Sequence, residues 1–229
     1  MVSVVIPTWN EASGIGALVS FLHEQAKPGA LEVIVADGGS TDNTHDEAQA
    51  AGAHVLRCAR KGRAAQMNEG AGIAAGDILY FLHADTYPPA GFVEQLEGAV
   101  RRGIGSGCYR LAFDEPHWFL RANAWFTRFD VDALRFGDQS LFVRRDTFWQ
   151  VGGFQENCLL LEDQEIIGRL KRVAPFAVLP DCVKTSARKY RQYGIYKLQG
   201  YYFLIYSLYR LGLAQERLMG LYQWLLRKQ

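Results

Sequence analysis

The chain of 229 residues has little of what makes a protein easy to classify. It has four cysteines, Cys58, Cys108, Cys158 and Cys182, with no CxxC pair and no nearby histidine at zinc spacing. That excludes a disulfide framework and a structural zinc site, and predicts four reduced, mostly buried thiols. Charge of one sign is also missing: 25 Lys and Arg face 24 Asp and Glu. No overall field therefore argues for nucleic acid. Long hydrophobic runs are absent too. The longest uncharged stretch of the tail, 198–209, is too short and too rich in tyrosine for a membrane span. The start, "MVSVVIPTWN", lacks a basic region and turns at Pro7, so it reads as a strand and not as a signal peptide. The expected location is the cytoplasm. No internal repeat, low-complexity tract or linker is visible.

What is present is an alternation. "VSVVIP", "ALEVIVAD", "AHVLRC" and "DILYFLH" are short, apolar on both faces and β-branched, as central strands of a parallel sheet are. Helical stretches lie between and after them, at about 11–25, 42–51, 62–75 and 89–101. This predicts an open α/β sheet with right-handed crossovers, whose ligands sit beyond the carboxyl ends of the strands. Further on, "IGSGCYRLAF" reads as a strand. "PHWFLRANAWFTRF" spaces Trp118, Ala122, Trp125, Phe126 and Phe129 as a helix does. "SLFVRRDTFWQVGGF" reads as a strand running into a short helix that stops at Gly152-Gly153. "EDQEIIGRLKR" is a helix with acids at its start and bases at its end. The tail from about 195 is helical. The simplest organisation is one α/β domain, 1–194, with a helical extension, 195–229.

Unusual residues gather where those strands end, and each has a structural alternative. Asp37 closes an apolar strand in "DGGSTDNT", where no helix cap is needed. Its carboxylate suits a ligand N–H such as a nucleobase imide, or only the turn that Gly38-Gly39 permit. In "PTWNEA", Thr8 or Asn10 caps the next helix and Glu11 lies in its first turn, unless they line a pocket. Lys61 and Arg63 open a helix of small residues and suit an anion or plain solvent. In "HADT", Asp85 suits Mg²⁺ or Mn²⁺ shared with a diphosphate, or caps the turn before Pro88-Pro89; His83 is a satisfied structural residue, a group that bonds to a metal ligand, or a ligand itself. Glu162 and Asp163 cap a helix or supply a general base. Arg188 and Arg191, in "TSARKYRQYG", lie in a solvated loop or in a flap that clamps a diphosphate.

Taken in order, "VSVVIPTWNEA", "VIVADGGSTDNT", "GDILYFLHADT", "FVRRDTFWQVGGF" and "LLLEDQEIIGRLKR" resemble the blocks of family-2 glycosyltransferases with the GT-A fold. The resemblance runs from residue 2 to about 172, and the basic loop continues it to about 194. "GRAAQMN", "FLHADT" and "GDQ" are similar to a small bacterial subgroup associated with radical-SAM and selenium-related proteins. The resemblance implies a Rossmann-like, mostly parallel sheet. It also implies transfer of a sugar, with inversion, from a nucleotide-diphosphate donor (a UDP-sugar by family habit) with the help of Mg²⁺ or Mn²⁺. Under it, Pro7, Thr8, Asn10, Glu11, Asp37, Arg63, Gln66 and Ala84 would line the nucleotide and donor pocket. Asp85 would hold the metal, with His83 beside it. Asp163, paired with Glu162, would be the base. Asp138, Gln139, Arg188 and Arg191 would serve the diphosphate and acceptor. Two positions depart from the pattern: His83 stands where the family has the first acid of DxD, and Met67 where many members have an arginine.

The tail "GIYKLQGYYFLIYSLYRLGLA" packs on the core, meets a second copy in a homodimer, or lies on the inner face of the cell membrane, where a lipid-linked acceptor would reach it. Two other functions stay open. A non-catalytic nucleotide-sugar-binding or membrane-adaptor protein fits the missing acid at His83. A sugar nucleotidyltransferase shares the architecture, although "PTWNEASG" lacks the glycine-rich basic signature of that class.

Overall fold

The computed structural model of the chain describes residues 1–132 and 139–227. Alternation holds through the first hundred residues: β1 (Val2–Thr8), α1 (Ala12–Glu24), β2 (Leu31–Asp37), α2 (Thr44–Ala50), β3 (His54–Arg57), α3 (Arg63–Ile73), β4 (Ile78–Phe81), β5 (Thr86–Tyr87) and α4 (Phe92–Arg101). Then come β6 (Ser106–Phe113), α5 (Trp118–Phe126), β7 (Leu141–Arg144), α6 (Arg145–Gln150), α7 (Glu162–Val173), β8 (Phe176–Thr185), α8 (Arg188–Tyr193), α9 (Ile195–Arg210) and α10 (Gln215–Arg227). The described strands form one sheet in the order β3-β2-β1-β4-β7-β6-β8-β5. Strands β3, β2, β1 and β4 are parallel, as are β6 and β8. Strand β7 runs antiparallel to both of its neighbours, and β5 pairs antiparallel with the end of β8.

Side chains alternate across a strand, so the apolar runs fill both faces. Val2, Val4 and Ile6 pack with Ile15 and Leu18 of α1 and Phe92 and Leu96 of α4. Val5, with Ile34, Leu79 and Phe81, faces Ala64, Met67 and Ala71 of α3 and Ile166 and Leu170 of α7. Burying one such side chain fully stabilises the fold by about 1.5–3 kcal/mol. Helix α3 lies unusually close to the sheet because its inner residues are small. A Cβ at Gly70 would come 2.5 Å from Val5 Cγ1. Met67 is 1% exposed and belongs to this contact, so it packs in the core.

Three expectations need correction, and one open point, the face that α5 turns inward, is decided. Strand β8, "FAVLPDCVKT", was not foreseen, because Pro180 and Asp181 interrupt its pattern. The register against β6 jumps there, from Leu179 opposite Tyr109 to Cys182 opposite Arg110, and a bulge accommodates a proline that a regular ladder would reject. The segment expected as a basic loop or flap is strand end and helix α8, with Ala187 and Tyr190 buried. On α5 the aromatic residues face outward, and Leu120 and Ala124 face in. Of the cysteines only Cys108 is buried; Cys58 and Cys158 are half-buried and Cys182 is exposed, all four free. Asp138 lies outside the described residues.

Candidate active site

Parallel strands deliver their carboxyl ends to one edge. The order β2-β1-β4 sets Asp37, Thr8 and the turn His83-Ala84-Asp85 side by side, with Thr8 opposite Asp37 in register. Asp37 is 4% exposed. Its Oδ2 accepts the backbone N–H of Gly39 and Ser40 at 3.1 and 3.0 Å, and its Oδ1 accepts the hydroxyls of Thr8, at 3.3 Å, and Ser40. Four donors use the approximate capacity of a carboxylate. A ligand N–H reaching Asp37 would therefore share with, or displace, Ser40.

The loop after β1 is tied to the same turn. Asn10 has a left-handed backbone (φ 57), a region asparagine tolerates better than most residues. There its N–H donates to Ser40 Oγ at 2.8 Å and its Oδ1 accepts from Thr41 N at 2.9 Å. Gln66, on α3, is 7% exposed. Its Nε2 donates to Thr8 O at 2.7 Å and Ala36 O at 2.8 Å, closing the floor under the strand ends. Pro7 and Ala84 contribute backbone and apolar surface at this edge.

Two ion pairs bring distant segments in. Arg188 reaches Glu11 across 177 residues at 3.0 Å, and this bond, with the neighbouring charges of Glu11 and Asp85, raises its pKa despite partial burial. The turn of Asp85 is fastened to the same segment: Ser186 N donates to Asp85 O at 3.1 Å, and Thr86 Oγ1 lies 2.8 Å from Thr185 Oγ1. Arg63, at the start of α3, donates to Glu162 Oε1 at 3.0 Å at the start of α7. Glu162 and Asp163 are 4% and 8% exposed. Leu161, just before them, is left-handed (φ 63) and turns the chain so that both acids open the helix.

Arg63, His83, Glu162 and Asp163 line one cavity of about 650 Å³, inside the ~300–1,000 Å³ range of small-molecule sites. Trp9, 67% exposed, stands at its edge, and its far wall comes from α9 and α10. Neither Trp9 nor the tail was singled out as part of the site beforehand. The signal for Trp9 was its place in "PTWNE"; for the tail there was none, because only the fold carries it back. Arg191 turns away: it pairs with Asp114 at 3.0 and 3.2 Å and with Glu115. Gln139 is buried, its Nε2 donating to Tyr109 O at 3.0 Å, and it does not line the cavity.

This edge of an α/β sheet, with its acids and paired cations, defines the class: the fold is that of the GT-A glycosyltransferases. A mannosyltransferase of Pyrobaculum calidifontis, PcManGT, solved in complex with GDP-Man and Mn²⁺, matches with a TM-score of 0.72 at 20% identity, over 93% of this chain and 65% of that one. TarS of S. aureus in complex with UDP-GlcNAc matches with a TM-score of 0.69 at 18% identity, over 81% of this chain and 58% of that one. The chain belongs to glycosyl transferase family 2, whose model matches residues 3–150, more than half of it. A PGL/p-HBAD biosynthesis glycosyltransferase of Mycobacterium bovis is 28% identical over 174 residues, which are 71% of this chain and 66% of that protein. A dolichol-phosphate mannosyltransferase of Pyrococcus furiosus is 29% identical over 107 residues, 44% of this chain and 30% of that protein. The chain thus spans less than two thirds of the length of these relatives.

Proposed function

We propose that the protein transfers a sugar, with inversion, from a nucleoside-diphosphate donor to an acceptor hydroxyl. The observation that carries this is the convergence of Arg63, His83, Glu162 and Asp163 on one cavity beside the ends of β1 and β4. The nucleoside lies over Thr8, Asn10 and Asp37, with the base exchanging hydrogen bonds with the "DGGS" turn. Arg188 and Arg63 turn toward the diphosphate as negative charge grows on it, and Glu11 and Glu162 hold them in readiness. Asp163 takes the proton of the acceptor hydroxyl. The acceptor oxygen bonds to the anomeric carbon, the bond from that carbon to the diphosphate breaks, and its electron pair leaves with the nucleoside diphosphate.

The donor set near Asp85 fits a divalent cation in kind. One carboxylate and one imidazole come from a single turn, and Asp85 lies in the electrostatic reach of Arg188. Among the described residues no group of three metal-ligating side chains converges. Mg²⁺ and Mn²⁺ are commonly held by one or two carboxylates with substrate phosphates and water completing the shell. Asp85, with His83 beside it, would hold such an ion, which supplies positive charge to the leaving diphosphate. The mannosyltransferase and TarS complexes named above support a nucleotide-sugar donor, and Mn²⁺ in the former supports the metal.

Calorimetry with UDP, GDP and their sugars, with and without Mn²⁺, tests the donor site; binding strengthened by Mn²⁺ is the expected result. Asp163→Asn should keep that binding and lower kcat by roughly 10²–10⁴-fold. Turnover equal to the wild type would remove Asp163 from the reaction.

We also propose that the outer face of α5 rests on an anionic lipid surface. Trp118, Trp125 and Phe126 are 66%, 47% and 47% exposed, Arg121 lies among them, and the Arg128 guanidinium sits 4.4 Å over the Trp125 ring. Aromatic rings and basic side chains together suit a bilayer interface.

A further inference from the structure

We infer that the acceptor presents one hydroxyl on an apolar body; the inference rests on the transferase reading above. The cavity that holds Asp163 does not end at the sheet edge. It continues between the core and the tail, past Leu111, Phe113, Ile205, Met219 and Leu226. Tyr202 and Tyr222, also in this wall, stack with ring centroids 6.3 Å apart.

Two observations define the occupant. First, Leu111, Phe113, Ile205, Met219 and Leu226 are apolar and line the same cavity as the acid pair, so an occupant that fills it has its reactive end at Asp163. Second, several polar atoms in the wall already bond within the protein. Thr127 Oγ1 accepts from Leu111 N and donates to Ala124 O, Gln199 Oε1 accepts from Tyr190 OH, and Asn123 Nδ2 donates to Phe119 O. A polyhydroxy acceptor would lose water here and find these atoms engaged, which is costly.

The test uses the full-length protein with UDP-glucose, UDP-GlcNAc and GDP-mannose in turn, and follows release of the nucleoside diphosphate. Decanol and 4-propylphenol are compared with glycerol, glucose and glucose 6-phosphate as acceptors. The apolar alcohols should be used with kcat/KM about tenfold or more above the polar ones, the scale at which apolar pockets discriminate. Met219→Lys places a charge in the wall and should raise the KM for the apolar acceptor about tenfold; Met219→Leu should restore it. The Kd for the nucleoside diphosphate, measured by calorimetry, should stay the same in both variants, which also shows that they are folded. Equal use of glycerol or glucose, or an unchanged KM in Met219→Lys, would overturn the inference. So would tight donor binding that no acceptor of either kind turns into transfer, and that outcome leaves the donor site standing. A wild-type protein that binds no nucleoside diphosphate would overturn the transferase reading, and this inference with it.

Discussion

Single side chains at the sheet edge do two kinds of work, and Gln66 shows how they divide. Its amide holds the last carbonyls of β1 and β2 from a buried position. Gln66→Leu would remove that donor; Thr8 O keeps the N–H of Gly38 at 3.0 Å, so the cost is about 1–3 kcal/mol in all if water does not replace the amide. A fall in melting temperature of several degrees is expected, and nucleotide binding should weaken because Thr8 and Asp37 sit on those ends. An unchanged melting temperature would show that the carbonyls find other partners. Glu11 acts differently, since its carboxylate is half-exposed and holds Arg188. Glu11→Gln should cost little stability. It should change the affinity for nucleoside diphosphate, measured by calorimetry, because Arg188 loses its anchor.

At the scale of elements, Asp114 ties both the start and the middle of α8. Asp114 accepts from Ala187 N at 2.7 Å and pairs with Arg191. Burial opposes its ionisation, yet the Arg191 guanidinium and the Ala187 N–H outweigh it and hold the carboxyl below its ordinary value. A group with a folded pKa lower than the unfolded one stabilises fully above the unfolded value, and that stability is lost as pH falls through the folded one. Amide exchange in α8 should therefore accelerate as pH drops below about 4, beyond the intrinsic change in exchange rate. Asp114→Asn should exchange fast at all pH values and lose this acid step. The same contacts explain why a run of bases became a helix and not a loop: charge runs are usually solvated, but here Asp114 and Glu115, just after β6, meet Arg191.

For the whole molecule, surface character separates two faces. No described helix is long and apolar enough to cross a membrane. The outward aromatic residues of α5 nevertheless form a patch, and Phe126 also lines the cavity. The protein should float with vesicles containing anionic lipid, more weakly at high salt as the basic component is screened. The double substitution Trp118→Ser and Trp125→Ser should release it without changing the melting temperature much, since both rings are exposed. Full recovery of the wild type in the soluble fraction would exclude the lipid contact.

Sequence alone determined the alternation of strands and helices, the placing of Asp37, Asp85 and Asp163 at element ends, and the α/β class. These depend on local periodicity, and a strand apolar on both faces has few places to lie but the middle of a parallel sheet. Tertiary structure decided what periodicity does not encode. Strand β8 escaped notice because its pairing with β6 passes over Pro180-Asp181. The aromatic residues of α5 have helical spacing whether they face core or solvent, and only the neighbours of Leu120 and Ala124 settle the side. The pairs Arg188–Glu11 and Arg63–Glu162 span 177 and 99 residues. Contacts at such separation leave no local trace, so the tail's place in the wall of the cavity became visible only when the chain had folded back on itself.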